Sequence, residues 1–276
     1  MKPYENTMII SDLDGTLIPR GGQVSEANRN AIERFVAGGG RFGIATGRTP
    51  EAADGYVHVL AITAPSIFFN GAMLYDWQSK CVLAAKPLPG GAIWPRFAAQ
   101  CLAHFPEACV EVYTADNCNI VSDPANDDPR LPLEYYRYCH VPLDEVADTE
   151  RTPWLKFFVS DDPARLAVLE REKDAFGIGK LANSFYSEAN YYEFVANGVS
   201  KGAMIEEIRR LPAYEHVHII ALGDYLNDNE MLAAADIGVA SGNAHAATKA
   251  AADVVGCRVE EDLIPWVLAN VLHDGL

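Results

Sequence analysis

Asp12 and Asp14 stand one residue apart in MIISDLDGTL (residues 8–17), directly behind an apolar run that stops at Ser11. Acidic residues are poor strand formers, and two this close repel each other. At the carboxyl end of a buried strand they can converge on one pocket from either side of Leu13. Gly15 and Thr16 then permit a sharp turn whose backbone N–H groups face an anion. Turn chemistry alone also places Asp and Gly behind strands, so the pair needs partners. A calcium loop of the EF-hand type is excluded, because Gly15 comes fourth and Gln23 twelfth where Gly belongs at six and Glu at twelve.

Partners stand elsewhere in the chain. IATGR (residues 44–48) ends a strand-like run with Thr46 and Gly47, a hydroxyl and adjacent N–H groups able to hold phosphate oxygens. Ser200-Lys201-Gly202 opens a helix that runs to about Leu211. A lysine in the first helical turn opposes the helix dipole by about 0.3–1 kcal/mol, and a bound anion reverses that sign. In GDYLNDNEML (residues 223–232), Asp224 stands one residue beyond the apolar run HIIAL, as Asp12 stands one residue beyond MII, while Asn227 and Asp228 begin the next helix. Asp228 alone reads as a helix cap.

Alternating elements must position these residues. Strands are expected at Thr7–Ile10, Arg41–Ala45, Ser66–Phe69, His218–Leu222, Ile237–Ala240 and Asp253–Val255. Helices are expected from Ser25 to Ala37 and from Pro50 onward. This alternation predicts a doubly wound, mainly parallel, Rossmann-like α/β sheet, whose ligands bind beyond the carboxyl ends of the strands. The middle reads as a separate α+β module, with aromatic-rich strands at Cys109–Thr114, Leu155–Val159 and Tyr191–Val195 and helices at Ala92–Phe105 and Pro163–Phe176. Asp123–Pro129 reads as an exposed loop. The expected division is a core of residues 1–84 and 191–276 with an inserted cap of residues 85–190.

Bulk properties narrow the function. The 276 residues are 49% hydrophobic and 22% charged, an ordinary globular composition. No stretch approaches a membrane span, and MKPYENTMII lacks a long apolar region, so neither a membrane nor a secretory role is expected and the cytoplasm is the default location. The net charge of −16 argues against nucleic-acid binding. It also means that an anionic substrate needs local positive charge or a metal. The six cysteines form no C-x-x-C pair and are expected to be reduced thiols. None of the seven histidines is assigned as ligand or base. Gly38–Gly43 matches G-x-G-x-x-G, but it follows a helix and opens a strand, so no dinucleotide site is implied.

Taken together and in order, DLDGT, TGR, a lysine opening a helix and GDxxND resemble the haloacid dehalogenase-like superfamily of phosphohydrolases. FFNGAMLYD (residues 68–76) and IGVASGNA (residues 237–244) make the chain similar to its Cof-type subfamily, which carries a type IIB α+β cap; Ser241 stands where that family often has Met. The resemblance implies a Mg²⁺-dependent phosphatase acting on a small phosphorylated metabolite. Asp12 is then the nucleophile that forms an aspartyl-phosphate and Asp14 the general acid and base, a role that neighbouring carboxylates favour. Leu13, Thr46, Gly47, Lys201 and Asn227 would hold the phosphoryl oxygens. Asp12, Asp224 and the Asp14 backbone carbonyl would ligate Mg²⁺, with Asp228 one step removed. The cap is expected to close over the site, with Arg48 and Glu193 as candidate substrate contacts; a structural salt bridge for Arg48 and a plain exposed strand position for Glu193 are the equal alternatives. Trp154, Lys156 and Tyr135–Tyr138 read as cap packing or as lining of a substrate cavity, with packing favoured. A sugar-phosphate mutase or phosphotransferase using the same aspartyl-phosphate is the alternative, and a noncatalytic ligand-binding relative a further one. Substrate identity and oligomeric state are not encoded in these motifs.

Overall fold

In the computed structural model, described for residues 2–19, 21–131 and 138–272, the chain divides into two units. One comprises Met1–Ala84 and Ser200–Leu276, the other Ala85–Val199. No helix among the described residues is long and apolar enough to cross a membrane.

The first unit is built on a sheet of eight strands in the order Val254–Val255, Ile237–Ala240, His218–Gly223, Thr7–Asp12, Arg41–Ala45, Ser66–Phe68, Met73–Asp76, Cys81–Ala85. The first six run parallel, and Met73–Asp76 turns back antiparallel to Ser66–Phe68. Met8 and Ile10 on the central strand pack with Ile219 and Ala221 of its neighbour and with Met204, Ile205 and Ile208 of helix Lys201–Arg210. Helix Glu26–Ala37 begins where expected, with the Ser25 hydroxyl accepting from the Asn28 N–H at 3.0 Å. The doubly wound α/β expectation is what the chain forms.

Register determines what meets at the strand ends. Ser11 lies opposite Leu222 on one side, and Asp12 opposite Ala45 on the other. Three adjacent parallel strands therefore finish level, and the residues that continue them are Asp12–Asp14, Thr46–Arg48 and Asp224.

The second unit carries a six-stranded sheet ordered Ala182–Glu188, Tyr191–Ala196, Lys156–Ser160, Cys109–Tyr113, Cys118–Ile120, Tyr138–His140, antiparallel except for the last pair. Alternate residues Val110, Val112, Phe157, Val159, Tyr192 and Phe194 face a core with Trp94 and Phe97 of helix Ile93–His104 and Leu166 and Leu169 of helix Pro163–Glu172. Trp154 stacks on Phe157 with ring centroids 5.9 Å apart, so it packs as expected. Of the tyrosine-rich stretch 135–138, residues 135–137 lie outside the described residues.

Two boundaries differ from the sequence expectation. The chain re-enters the first unit at Ser200 rather than at 191, because Tyr191–Ala196 pairs with Lys156–Ser160 and Ala182–Glu188 in the second sheet. Asp123–Pro129 is not wholly exposed. Asp128 is buried and accepts from the Arg130 N–H at 2.9 Å, the Tyr191 hydroxyl at 3.2 Å and the Ser160 hydroxyl.

The strand expected at Ser66–Phe69 stops at Phe68, and a short 3₁₀ turn, Phe69–Gly71, follows. Gly71 has φ +108°, and a Cβ there would lie 2.1 Å from the Ser200 carbonyl oxygen. Gly71→Ala is therefore expected to lower the unfolding free energy by about 2 kcal/mol or more in urea titrations. Gly21→Ala, at φ +71° with nothing within 4 Å, should cost only the backbone term of about 1 kcal/mol.

Candidate active site

Lys201 is the centre of the site. It opens helix Lys201–Arg210, capped by the Ser200 hydroxyl on the Ala203 N–H at 3.1 Å. Its ammonium, without solvent exposure, donates to Asp12 Oδ1 at 2.6 Å and to Asp228 Oδ1 at 2.7 Å. The other Asp228 oxygen accepts the backbone N–H groups of Asp224 at 2.9 Å and Tyr225 at 3.0 Å. Asp224 accepts the Thr16 hydroxyl at 3.1 Å. Carboxylate oxygens of Asp12, Asp224 and Asp228 lie within 4.8 Å of one another. Residues separated by more than two hundred positions thus share one pocket wall.

Space is set by glycines. A Cβ on Gly15 would come within 2.5 Å of the Asp224 carboxylate, and one on Gly223 within 2.5 Å of the Asp228 side chain. The Asn243 amide donates to the Gly15 carbonyl at 2.8 Å and so fixes the turn behind Asp14.

Electrostatics follow from burial. Desolvation raises the Asp12 carboxyl well above its ordinary range; Lys201 opposes that, while Asp228 and Asp224 add to it. Asp224 is raised by burial and then by Asp228. Burial pulls the Lys201 ammonium down, but Asp12 and Asp228 outweigh it and the net direction is up. With all three carboxylates ionised, one ammonium leaves two negative charges uncompensated. An all-oxygen donor set with that deficit fits a hard divalent cation.

Asp14 is placed differently from the expectation of an acid flanked by carboxylates. Both its oxygens accept from one guanidinium, Arg48 Nε at 2.8 Å and a terminal Arg48 nitrogen at 2.9 Å. Arg48 also lies over the Tyr56 ring, 4.6 Å from its centroid. The residue read as a substrate contact is therefore engaged by Asp14. Thr46 is buried, and its hydroxyl accepts from the Arg48 N–H at 3.2 Å. Leu13 is buried, with its carbonyl taking the N–H groups of Leu17 and Ile18. Gly47 lies beneath the Asn70 carboxamide, and Asn227 donates to Asn70 Oδ1 at 3.1 Å. Glu193 belongs to the other unit, buried in strand Tyr191–Ala196, with Lys156 Nζ 3.1 Å from its carboxylate. It is not an exposed strand residue, and Lys156 packs within this unit as half of a buried ion pair.

Sequence reading missed Thr16, Asn70 and Asn243. Thr16 and Asn243 sit inside motifs already quoted, DLDGT and SGNA, and Asn70 inside FFNGA. Their hydrogen bonds run to residues too distant in sequence to be anticipated locally.

Comparison with known proteins agrees with this geometry. A family model described as haloacid dehalogenase-like hydrolase matches residues 9–268. The chain is 28% identical to the pyridoxal phosphate phosphatase YbhA of Escherichia coli over 96% of this chain and 98% of that protein. It is 26% identical to the 5-amino-6-(5-phospho-D-ribitylamino)uracil phosphatase YitU of Bacillus subtilis, covering 95% and 94%. A solved haloacid dehalogenase-like hydrolase from Bacteroides thetaiotaomicron superposes with a TM-score of 0.80 at 25% identity, covering 99% and 100%. The chain belongs to the haloacid dehalogenase-like hydrolases, in their Cof-type branch. It is an enzyme of the phosphatase class.

Removing the central cation should expose the cost of the buried acids. Lys201→Met is expected to lose about 3–5 kcal/mol of stability, measured by urea unfolding in chelator. The sign with pH follows from the raised carboxyls. Folded Asp12 and Asp224 hold protons that the unfolded chain has released, so stability in chelator falls as pH rises above about 4, the unfolded carboxylate value, and through the raised folded values. Unfolding at pH 5 and pH 8 should show that fall, and Asp228→Asn should flatten it.

Proposed function

We propose that this chain is a Mg²⁺-dependent phosphatase that hydrolyses a small phosphate monoester, a sugar phosphate or similar phosphometabolite, through an aspartyl-phosphate on Asp12. The observation that carries the reading is the buried Lys201 ammonium shared by Asp12 and Asp228, with Asp224 closing a three-carboxylate cluster. A surface ion pair would not require such burial, and perturbed acids in this setting mark functional sites. The relatives named as pyridoxal phosphate and ribitylaminouracil phosphatases support a small phosphorylated metabolite as the substrate class.

The steps follow from the side chains. An Asp12 oxygen attacks phosphorus, and the ester P–O bond breaks as Asp14 hands a proton to the leaving oxygen. Water then attacks phosphorus, Asp14 takes its proton, and the Asp12–phosphorus bond breaks. Inorganic phosphate leaves, with Asp12 again a carboxylate. Arg48 donates to both Asp14 oxygens and so fixes the plane of the carboxyl group, leaving a second lone pair on each oxygen. Arg48 thus holds Asp14 on station. Lys201 steadies Asp12, while Thr46, Gly47, Asn227 and the Leu13 backbone take phosphoryl oxygens.

Asp12, the Asp14 backbone carbonyl and Asp224 would hold Mg²⁺, which when bound supplies the positive charge that three carboxylates and a phosphate dianion lack. Asp228 stays one step back, since both its oxygens already accept from Lys201 and backbone N–H groups. The inserted unit is assigned the choice of leaving group.

Asp12→Asn is expected to lower phosphate release from a panel of phosphate monoesters by about 10⁴-fold or more. Chelator should abolish release and added Mg²⁺ restore it. Acid quenching of the wild type should trap phosphate on Asp12. Turnover without any sugar bisphosphate separates hydrolysis from mutase chemistry. Phosphate release that survives Asp12→Asn would end the covalent route.

A further inference from the structure

The turn after strand Ser66–Phe68 places three consecutive residues at positive φ: Phe69 at +51°, Asn70 at +55° and Gly71 at +108°. Glycine adopts this region freely, whereas Phe and Asn do so at a cost of about 1 kcal/mol or more each. A chain keeps such a conformation only where its surroundings over-determine it. Here several of the contacts that hold it come from other segments of the site. The Asn70 N–H donates to the Thr46 carbonyl at 3.1 Å and the Phe69 N–H to the Arg48 carbonyl at 3.3 Å. Gly71 presses against the Ser200 carbonyl, one residue before Lys201. The Asn70 side chain lies over Gly47, where a Cβ would come within 3.0 Å of its amide nitrogen, and its oxygen accepts the Asn227 amide at 3.1 Å. One strained turn therefore touches the TGR segment, the start of the lysine helix and the GDxxND segment.

We propose that Asn70 is a positioning residue of the phosphoryl-transfer site, its side-chain oxygen fixing the Asn227 carboxamide so that the remaining Asn227 N–H meets the phosphoryl group at a set angle. The proposal rests on the phosphatase reading above and deepens it. An untethered asparagine rotates about two side-chain bonds, and a donor that must first be oriented contributes less than one already aimed. A carboxamide suits the task because it accepts one bond from Asn227 without adding a charge beside an anion.

Asn70→Gly removes the carboxamide and keeps a residue that takes a left-handed backbone without strain, so its melting temperature should stay within about 2 °C of the wild type. Its kcat/KM for p-nitrophenyl phosphate is expected to fall about tenfold, and its calorimetric Kd for inorganic phosphate to rise by a similar factor. Asn227→Ala should lose at least as much. The double variant should lose no more than Asn227→Ala alone, because Asn70 acts through Asn227. A merely structural Asn70 would instead multiply its loss onto that of Asn227→Ala, and that result overturns the proposal. So does a wild-type Kd and rate in Asn70→Gly beside an impaired Asn227→Ala. A wild-type chain that binds phosphate but releases none from any ester defeats the phosphatase reading, while the phosphate Kd values of the three variants still decide for or against Asn70.

Discussion

A single ammonium group, removed from water and held between carboxylates 189 and 27 residues away in sequence, is the constraint around which the first unit is arranged. Bringing ions into a protein interior costs several kcal/mol each, and attraction within a pair offsets this only when geometry and further hydrogen bonds are good. Asp228 meets that condition, with both oxygens filled by Lys201 and two backbone N–H groups. Asp12 and Asp224 meet it less fully, and their carboxyls are displaced upward accordingly. An arrangement chosen for stability would replace these groups by apolar ones. Keeping them suits the proposed reaction, which must gather a cation and keep a nucleophile available.

The fold satisfies the constraint by ending three neighbouring parallel strands level, so that each continues directly into a functional segment. Fine adjustment comes from glycines chosen for space. Gly223 and Gly202 have ordinary backbone angles, yet a Cβ on the first would strike Asp228 and one on the second the Glu230 carbonyl at 2.4 Å. Gly202 thereby lets the lysine helix approach the segment that carries Asp228. Larger residues at these positions would push the acids and the lysine apart by more than a hydrogen bond tolerates.

Much of this was legible in the chain, because a strand that ends in Asp is locally anomalous and the anomaly is repeated. Asp12 and Asp224 each follow an apolar run, and Lys201 stands at a helix start where the dipole disfavours it. Pairings between side chains were less legible. Nothing near Arg48 tells whether its guanidinium faces a ligand or Asp14. Nothing near Asn70 announces a positive φ, since contacts from segments far along the chain impose it. Tyr191–Val195 shows the alternation of a strand, but alternation does not name the sheet it joins; pairing with Lys156–Ser160 decides that. Glu193 looked exposed for the same reason, its partner Lys156 lying on that neighbouring strand.

The net charge of −16 bears on an anionic substrate less than its size implies, since exposed charges are largely screened beyond about 8 Å at physiological ionic strength. What matters is the charge within contact distance, and there Lys201 is already engaged by Asp12 and Asp228, and Arg48 by Asp14. A further lysine or arginine in this space would pair with Asp12 and blunt the nucleophile of the proposed reaction. Neutral donors escape that conflict. The Thr46 hydroxyl, the N–H groups beside Gly47 and the Asn227 carboxamide held by Asn70 can face phosphoryl oxygens without being drawn to carboxylates as strongly as a full charge would be. Positive charge is then best brought by a cation bound with the substrate, and the two uncompensated negative charges of the acidic cluster favour that binding.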